Sequence, residues 1–252
     1  VHRPHSMVRV FPVTKPGLGD RYLSDKIYGF ALNMPAYRQG YVTSLMPFLG
    51  EISFDPEAIA SSYDHDLEEV HPWKHTVLLE DYNIIAEWTT TERTVVYRFV
   101  FQNDKSANLV FRSNGQASFR IVGNNAIEGW EEFKETKQYF HAEFSVPFNS
   151  SGTFDGEKTG GDSEISGRRT GVYVTFDDLK EPIEIRTGIS YIDEVQAKDN
   201  LARETTGKTF EVISNESYRI WKDLLGRIYV EGATERQLRI FYTCLYRAFE
   251  RM

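Results

Sequence analysis

Apolar residues in this chain recur with a period of two from about residue 7 to residue 191, and with a helical period from there on. Such a switch constrains the fold more than composition does, because a strand buries every second side chain and a helix buries a stripe. Phe140, Ala142, Phe144 and Val146 alternate with Tyr139, His141, Glu143 and Ser145. Ile183, Ile185, Thr187, Ile189 and Tyr191 alternate in the same way with Glu184, Arg186, Gly188 and Ser190. Val172, Val174 and Phe176 mark another strand. Residues 95–101 are apolar or aromatic on both faces apart from Arg98, which predicts a strand buried between two sheets. Many short strands divided by turn residues predict a sandwich or a barrel, and a chain of 252 residues favours the sandwich. Residues 149–171, rich in Gly, Ser, Asp and Thr, read as a long mobile hairpin loop.

Beyond Tyr191 the signals are those of helix ends. Asp193-Glu194-Val195-Gln196 supplies the N-cap and N3 residues of a capping box. A second helix carries Ile213, Ile220, Trp221 and Leu224 on one face, with Gly226 where a C-cap belongs. Residues 227–231 predict a short strand. Thr234-Glu235-Arg236-Gln237 is another capping box, opening a helix whose stripe of Leu238, Phe241, Leu245 and Phe249 is expected to face a core. That stripe runs towards Met252 without a closing glycine, so further helices are expected after it. The predicted layout is a β-sandwich domain over residues 1–191 and a helical segment over 192–252.

Charge and cysteine content narrow the partners. With 37 acidic against 29 basic residues the net charge is −8, which repels nucleic acid. Cys244 is the only cysteine, so neither an intramolecular disulfide nor a cysteine metal cluster can form. No apolar run approaches the roughly 20 residues of a membrane span. Val1-His2-Arg3-Pro4-His5 is not a signal peptide, which leaves both a cytoplasmic location and a targeting segment outside this sequence open.

One segment concentrates candidate ligand-binding residues: His65, Glu68, His71, Trp73 and His75. An aromatic ring beside polar groups suits a sugar, whose apolar face stacks while its hydroxyls find partners. The competing reading makes Trp73 core or interface packing, with His65 and Glu68 as structural hydrogen-bonders. Adding Asp64 and Asp66 invites a transition-metal reading, but the spacings fit no established zinc pattern. Arg93 and Arg98, on the strand expected after Trp88, read as structural salt-bridge partners. Asn149-Ser150-Ser151 and Asn215-Glu216-Ser217 match the glycosylation sequon and mark surface at most.

A family resemblance becomes specific in the helical part. Gly188-Ile189-Ser190-Tyr191, Ala197 and Asn200-Leu201 are followed by Trp221, Leu224, Ile228 and Val230. Gly232-Ala233-Thr234-Glu235, Gln237 and residues 241–246, Phe-Tyr-Thr-Cys-Leu-Tyr, come next. In order and spacing this block resembles the passage from sandwich to helical barrel in glycoside hydrolase family 92, the exo-α-mannosidases. Earlier matches are Met7-Val8, Pro12, Ser24-Asp25, Gly29-Phe30, Met46-Pro47, His65, Glu68, Pro72, Thr91, Arg93, Phe99, Ile127-Glu128-Gly129 and Tyr139-Phe140. Three loops depart from the family pattern: residues 15–22 lack its tryptophan, residues 31–40 lack its Ser/His/Gly character, and Trp73-Lys74-His75 stands where Gly-Tyr-Tyr is usual.

The resemblance implies a mainly β, supersandwich-like two-sheet antiparallel fold followed by helices that begin an (α/α) barrel. It implies an inverting, calcium-dependent hydrolysis of α-mannosides in glycans, in an enzyme secreted, periplasmic or on the surface of a bacterium. Such enzymes use a carboxylic acid and a carboxylate roughly 6.5–9.5 Å apart. The acid, the base and most calcium ligands fall by resemblance in the helical catalytic domain of the same polypeptide, after Met252, so no catalytic residue is assigned here. The sandwich would supply one wall of the sugar pocket. Alternatives are a carbohydrate-binding or scaffold sandwich without catalysis, and the phosphorylases and glucoamylase-like enzymes that share the architecture.

Overall fold

A computed structural model describes residues 1–14, 24–35, 40–102, 106–156, 158–177 and 179–250. The alternating stretches pair there as two large antiparallel sheets, with a two-stranded pairing of Lys26–Ile27 and Ser61–Ser62 beside them. The first sheet has seven strands in the order Pro12–Val13, Gly29–Asn33, Val42–Leu49, Ala107–Arg112, Thr170–Phe176, Ser150–Asp155, Lys158–Gly160. The second has nine, in the order Glu164–Arg168, Gln116–Val122, Ala126–Phe133, Thr136–Phe144, Ile183–Ser190, Thr94–Phe101, Ile84–Thr90, Lys74–Leu79, Glu69–Val70. The expected sandwich is therefore present. Its inner faces meet in one aromatic core that includes Phe30, Trp88, Tyr97, Phe99, Phe111, Phe119 and Phe140, all fully buried.

Polar groups tie the sheets together where that core thins. The Tyr97 hydroxyl donates across the sandwich to the carbonyl of Ala31. Asn33 Nδ2 donates to Gln138 Oε1 at 2.7 Å, which also accepts from the Tyr191 hydroxyl at 3.3 Å. Glu131 of the nine-stranded sheet accepts from the backbone N–H and hydroxyl of Thr43 in the other sheet, at 2.6 and 2.8 Å. Its second oxygen accepts from the N–H groups of Asn114 and Gly115 at 2.9 and 2.7 Å.

Two expectations for the sandwich itself change. The outer side of Thr94–Phe101 does not meet a second sheet: Val96 packs on Phe210 and Ile213 of a helix, and the Arg98 guanidinium lies 4.1 Å over the Phe210 ring. Residues 149–171 are not one loop. Ser150–Asp155 pairs with Thr170–Phe176 in the seven-stranded sheet, and Glu164–Arg168 pairs with Gln116–Val122 in the nine-stranded one. The small residues have a packing reason. Gly171 has no side chain, so the Phe154 ring lies across it and stacks on Phe54 at 4.3 Å. Composition alone reads such glycines as mobility.

Helix α1, Pro56–Ile59, is one turn over the outer face of the seven-stranded sheet. Helix α2, Glu194–Thr205, starts at Asp193, whose side chain accepts from the Gln196 N–H at 2.7 Å. Only half of that predicted capping box forms, because Gln196 donates its amide to Asn200 instead. Helix α3, Phe210–Leu225, buries Ile213 and Trp221 completely and ends at Gly226 as expected. Ile220 is 39% exposed rather than core-facing, since Trp221, one position round the helix, takes the place between His2 and Tyr246. No strand forms over residues 227–231. Tyr229 points to solvent, and the Ile228 carbonyl takes a hydrogen bond from the Tyr242 hydroxyl, so the segment has no neighbouring strand to pair with.

Helix α4, Glu235–Ala248, has the full Thr234/Gln237 capping box. Its Leu238, Phe241, Leu245 and Phe249 stripe is half-buried, not core; among the described residues α3 and the start of the chain lie beneath it. Helices α2 and α3 are bolted to the nine-stranded sheet by acids. Glu204 of α2 accepts from the Arg93 N–H at 2.9 Å and pairs with its guanidinium at 3.1 Å. Arg98 bridges Glu87 on the neighbouring strand and Glu211 on α3. The structural reading of both arginines holds, although Arg93 lies in the turn before the strand. Among the described residues no helix is long and apolar enough to cross a membrane.

Candidate functional site

The segment carrying the five candidate residues is the edge of the nine-stranded sheet. Asp64 caps a 3-10 turn, His65–Leu67, by accepting from the Asp66 N–H at 2.9 Å. Glu69–Val70 then pairs with the strand that starts at Lys74. The resulting hairpin sorts the five side chains into two groups on opposite sides.

Glu68, His65 and His75 form the inner group. The Glu68 side chain is 3% exposed; its Oε2 lies 2.7 Å from His65 Nδ1 and its Oε1 2.5 Å from His75 Nε2. Burial raises the Glu68 pKa, but the hydrogen bonds from His75 and His65 outweigh it and leave the net value below the ordinary one. Burial lowers the His75 pKa against the pull of Glu68. The His75 ring also stacks on Trp88 at 4.1 Å, which places it against the core. Both carboxylate oxygens of Glu68 are thus engaged within the protein.

His71 and Trp73 form the outer group. Their rings stack 4.6 Å apart and 3° from parallel, and His71 Nε2 lies 2.8 Å from Glu69 Oε1. Trp73 meets the edge of Tyr218 on α3 at 4.8 Å, so the hairpin leans on the helical segment. Tyr218 escaped the sequence reading; its only signal is that it lies three residues before Trp221, on an adjoining face of the same helix.

Beside His71 a groove of about 720 Å3 opens between the hairpin and α4, lined by Val70, His71 and Pro72 on one side and Leu238, Tyr242 and Tyr246 on the other. That volume lies within the range of ligand pockets, whose walls are mostly apolar with a few polar groups. Among the described residues no group of three or more His, Cys, Asp or Glu side chains is arranged to hold a metal ion. The loop of residues 15–22 lies outside the described residues, as do residues 36–39 of the second divergent loop.

Comparison with known proteins bears on what this junction of hairpin and helices belongs to. The family model described as Glycosyl hydrolase family 92 N-terminal domain matches residues 1–190, and the Glycosyl hydrolase family 92 catalytic domain matches residues 196–251. The chain belongs to glycosyl hydrolase family 92. Among solved structures, the family GH92 inverting mannosidase BT2199 of Bacteroides thetaiotaomicron superposes with a TM-score of 0.91 at 26% identity. That match covers 99% of this chain and 36% of that one. The family GH92 α-mannosidase BT3965 of the same organism, in complex with mannoimidazole, gives a TM-score of 0.86 at 23% identity, covering 98% and 38%. A bacterial glucoamylase complexed with acarbose shares the fold alone, at a TM-score of 0.57 and 9% identity over 90% of this chain and 38% of that one. No curated protein matches. The chain therefore spans little more than a third of the length of the family 92 enzymes it matches.

Within a family 92 chain, the glycine at the start of the Gly188-Ile189-Ser190-Tyr191 block has a physical reason. A Cβ on Gly188 would stand 2.1 Å from the carbonyl oxygen of Ala197 on α2. The helix that opens the catalytic-domain match rests directly on the last sandwich strand, and Asn200 Nδ2 fixes it by donating to the Ile189 carbonyl at 2.8 Å.

Proposed function

We propose that this chain is the sandwich-side wall of the sugar pocket in a calcium-dependent, inverting exo-α-mannosidase acting on α-mannosides in glycans. The observation that carries the reading is the seat of the His71–Trp73 stack: it lies against α3 and beside the groove of α4, two helices that fall in the part matched by the catalytic domain. The likeness to an inverting mannosidase at 26% identity supports the reaction class. The proposed division is a sandwich over 1–191 and the helical linker and start of the catalytic domain over 192–252.

In this reading His71 lines the groove and offers a ring nitrogen to a sugar bound there, and the Trp73 ring stacked behind it holds it in place. His65, Glu68 and His75 hold the hairpin that presents them, which makes them positioning residues. The general acid, the base that activates water and most calcium ligands belong to the remainder of the helical domain. No step of the reaction is placed on the described residues. Export to the periplasm, the cell surface or the medium of a bacterium accompanies this reading, because glycans of this kind are met there.

Mannose release decides it. The 252-residue chain should release none from an α-mannoside, with or without calcium, while the full polypeptide should do so and lose the activity to a chelator. Calcium-dependent release by the 252-residue chain alone would overturn the division of labour. A full polypeptide that binds mannosides and hydrolyses none would instead make this a binding scaffold.

A further inference from the structure

The helices and the groove occupy the side of the nine-stranded sheet; the outer face of the seven-stranded sheet carries a different feature. There Ser44 and Arg112 stand opposite each other on neighbouring strands, with Gly171 next in the row, and α1 passes above them. Between sheet and helix lies a small cavity of about 40 Å3 whose lining includes Arg112, Asn114, Ser44, Tyr28, Tyr41 and Ile59.

Arg112 is the unusual member. A guanidinium has five N–H donors, and removing it from water costs free energy unless acceptors or a counter-charge replace the water. Its one acceptor among the described residues is the carbonyl of Phe54, bonded by Nη2, and it lies 5.2 Å from the Phe154 ring. No carboxylate of the described residues is within ion-pair distance of it. The two acids nearby are engaged elsewhere: Asp55 caps α1 through the Glu57 N–H at 3.0 Å, and Glu57 accepts from the Tyr28 hydroxyl at 3.0 Å. Burial lowers the Arg112 pKa, and only the more distant charges of Tyr41 and Asp55 oppose it.

We propose that this cavity binds a carboxylate group, held by the free edge of the Arg112 guanidinium between the tyrosines. The size fits. One water needs roughly 10–15 Å3 measured in this way, so the space takes about three heavy atoms, which is one carboxylate. The shape of the donor set fits as well, because a guanidinium fork matches a planar carboxylate in two parallel hydrogen bonds, where chloride gains no such match. The carboxylate can come from a small free acid or from an acidic sugar of a glycan. Nothing in the mannosidase reading requires this site, and it stands whether or not that reading does.

The test follows the Arg112 Nε–Hε resonance of the 15N-arginine-labelled chain. Acetate and methyl glucuronide are each titrated at constant ionic strength against chloride. The expected result is a saturable shift with acetate that equal chloride does not produce. That shift should be lost in Ser44→Leu, which fills the cavity and leaves Arg112 in place. Saturation by methyl glucuronide at a lower concentration than acetate would assign the acidic sugar; acetate alone would assign a free acid. An equal response to chloride, or no saturation with either carboxylate, would overturn the proposal. Arg112→Lys, checked for an unchanged fold by its thermal transition, should weaken acetate binding at least tenfold, since a point charge lacks the fork.

Discussion

Glu68 and His75, seven residues apart on one hairpin, share a 2.5 Å hydrogen bond between Oε1 and Nε2 with both side chains buried. The pair gives the fold a definite response to acid. His75 has a lowered pKa when folded, so the unfolded chain binds the proton more readily, and stability is lost as pH falls below the unfolded value of about 6.5. Glu68 is also lowered, so its contribution is present above the unfolded value of about 4.3 and disappears as pH falls through the folded one. Denaturation midpoints measured from pH 8 to pH 4 should therefore decline first near pH 6.5 and again below about pH 4.5. His75→Gln should shrink the upper step without abolishing it, because burial also lowers His2, to about 3; an unchanged upper step would assign it to His2 alone.

Glu131 has the opposite sign. Burial raises its pKa above the ordinary carboxyl value, against the pull of donors from Gly115, Thr43 and Asn114, so its own contribution diminishes as pH rises through the carboxyl range. Its removal is nevertheless expected to be costly. Glu131→Leu would leave the N–H groups of Thr43, Asn114 and Gly115 without their acceptor, at a cost of about 3 kcal/mol. Urea denaturation of the two proteins at pH 7 measures it, and a loss below about 0.5 kcal/mol would mean that water takes over the role.

Gly188→Ala tests the seat of α2. The added methyl meets the Ala197 carbonyl oxygen at 2.1 Å and Leu201 Cβ at 2.9 Å, and neither is the end of a flexible side chain. The helix must lift away, for about 3 kcal/mol or more by the usual scale of core overpacking. Amide exchange should accelerate along residues 194–205 well before it does in the sheets. Uniform acceleration everywhere would show that α2 opens only with the whole fold.

Trp73→Ala distinguishes a sugar platform from simple packing. It removes the contacts to His71 and Tyr218 and should destabilise the fold by about 2 kcal/mol, below the 3–5 typical of a fully buried Trp. Trp73→Phe should restore most of that stability. If Trp73 also stacks on substrate, the alanine variant of the full polypeptide should show a several-fold higher KM with kcat retained. Equal KM values in the two proteins would leave Trp73 a packing residue.

Sequence periodicity revealed the sheets and the helix starts because each is a local pattern: Phe140 to Val146 needs no knowledge of its partners to read as a strand. What it missed depends on which element covers a face. Val96 is apolar because Phe210 and Ile213 sit on it, and nothing within residues 95–101 distinguishes a helix from a sheet as the cover. The strands inside 149–171 were hidden because Gly152 and Gly171 make room for the rings of Tyr173 and Phe154, a cross-strand relation that composition cannot express. At the candidate site the segment was legible and its partition was not. His65, Glu68 and His75 alternate with His71 and Trp73 only once a turn and a two-residue edge strand have set which way each points. Arg112 gave no signal, because its lack of a counter-charge among the described residues is a property of three strands and a helix together.

The stretch from Ser150 to Arg168 belongs to both sheets in turn, and its central residues cross the edge between them. It works as a stitch through two layers of cloth. Neither layer can peel back at that edge without pulling on the other, and neither can be completed before the chain has passed through both. Long-range order must then arrive late and all at once. The sandwich is expected to fold and yield as a single body.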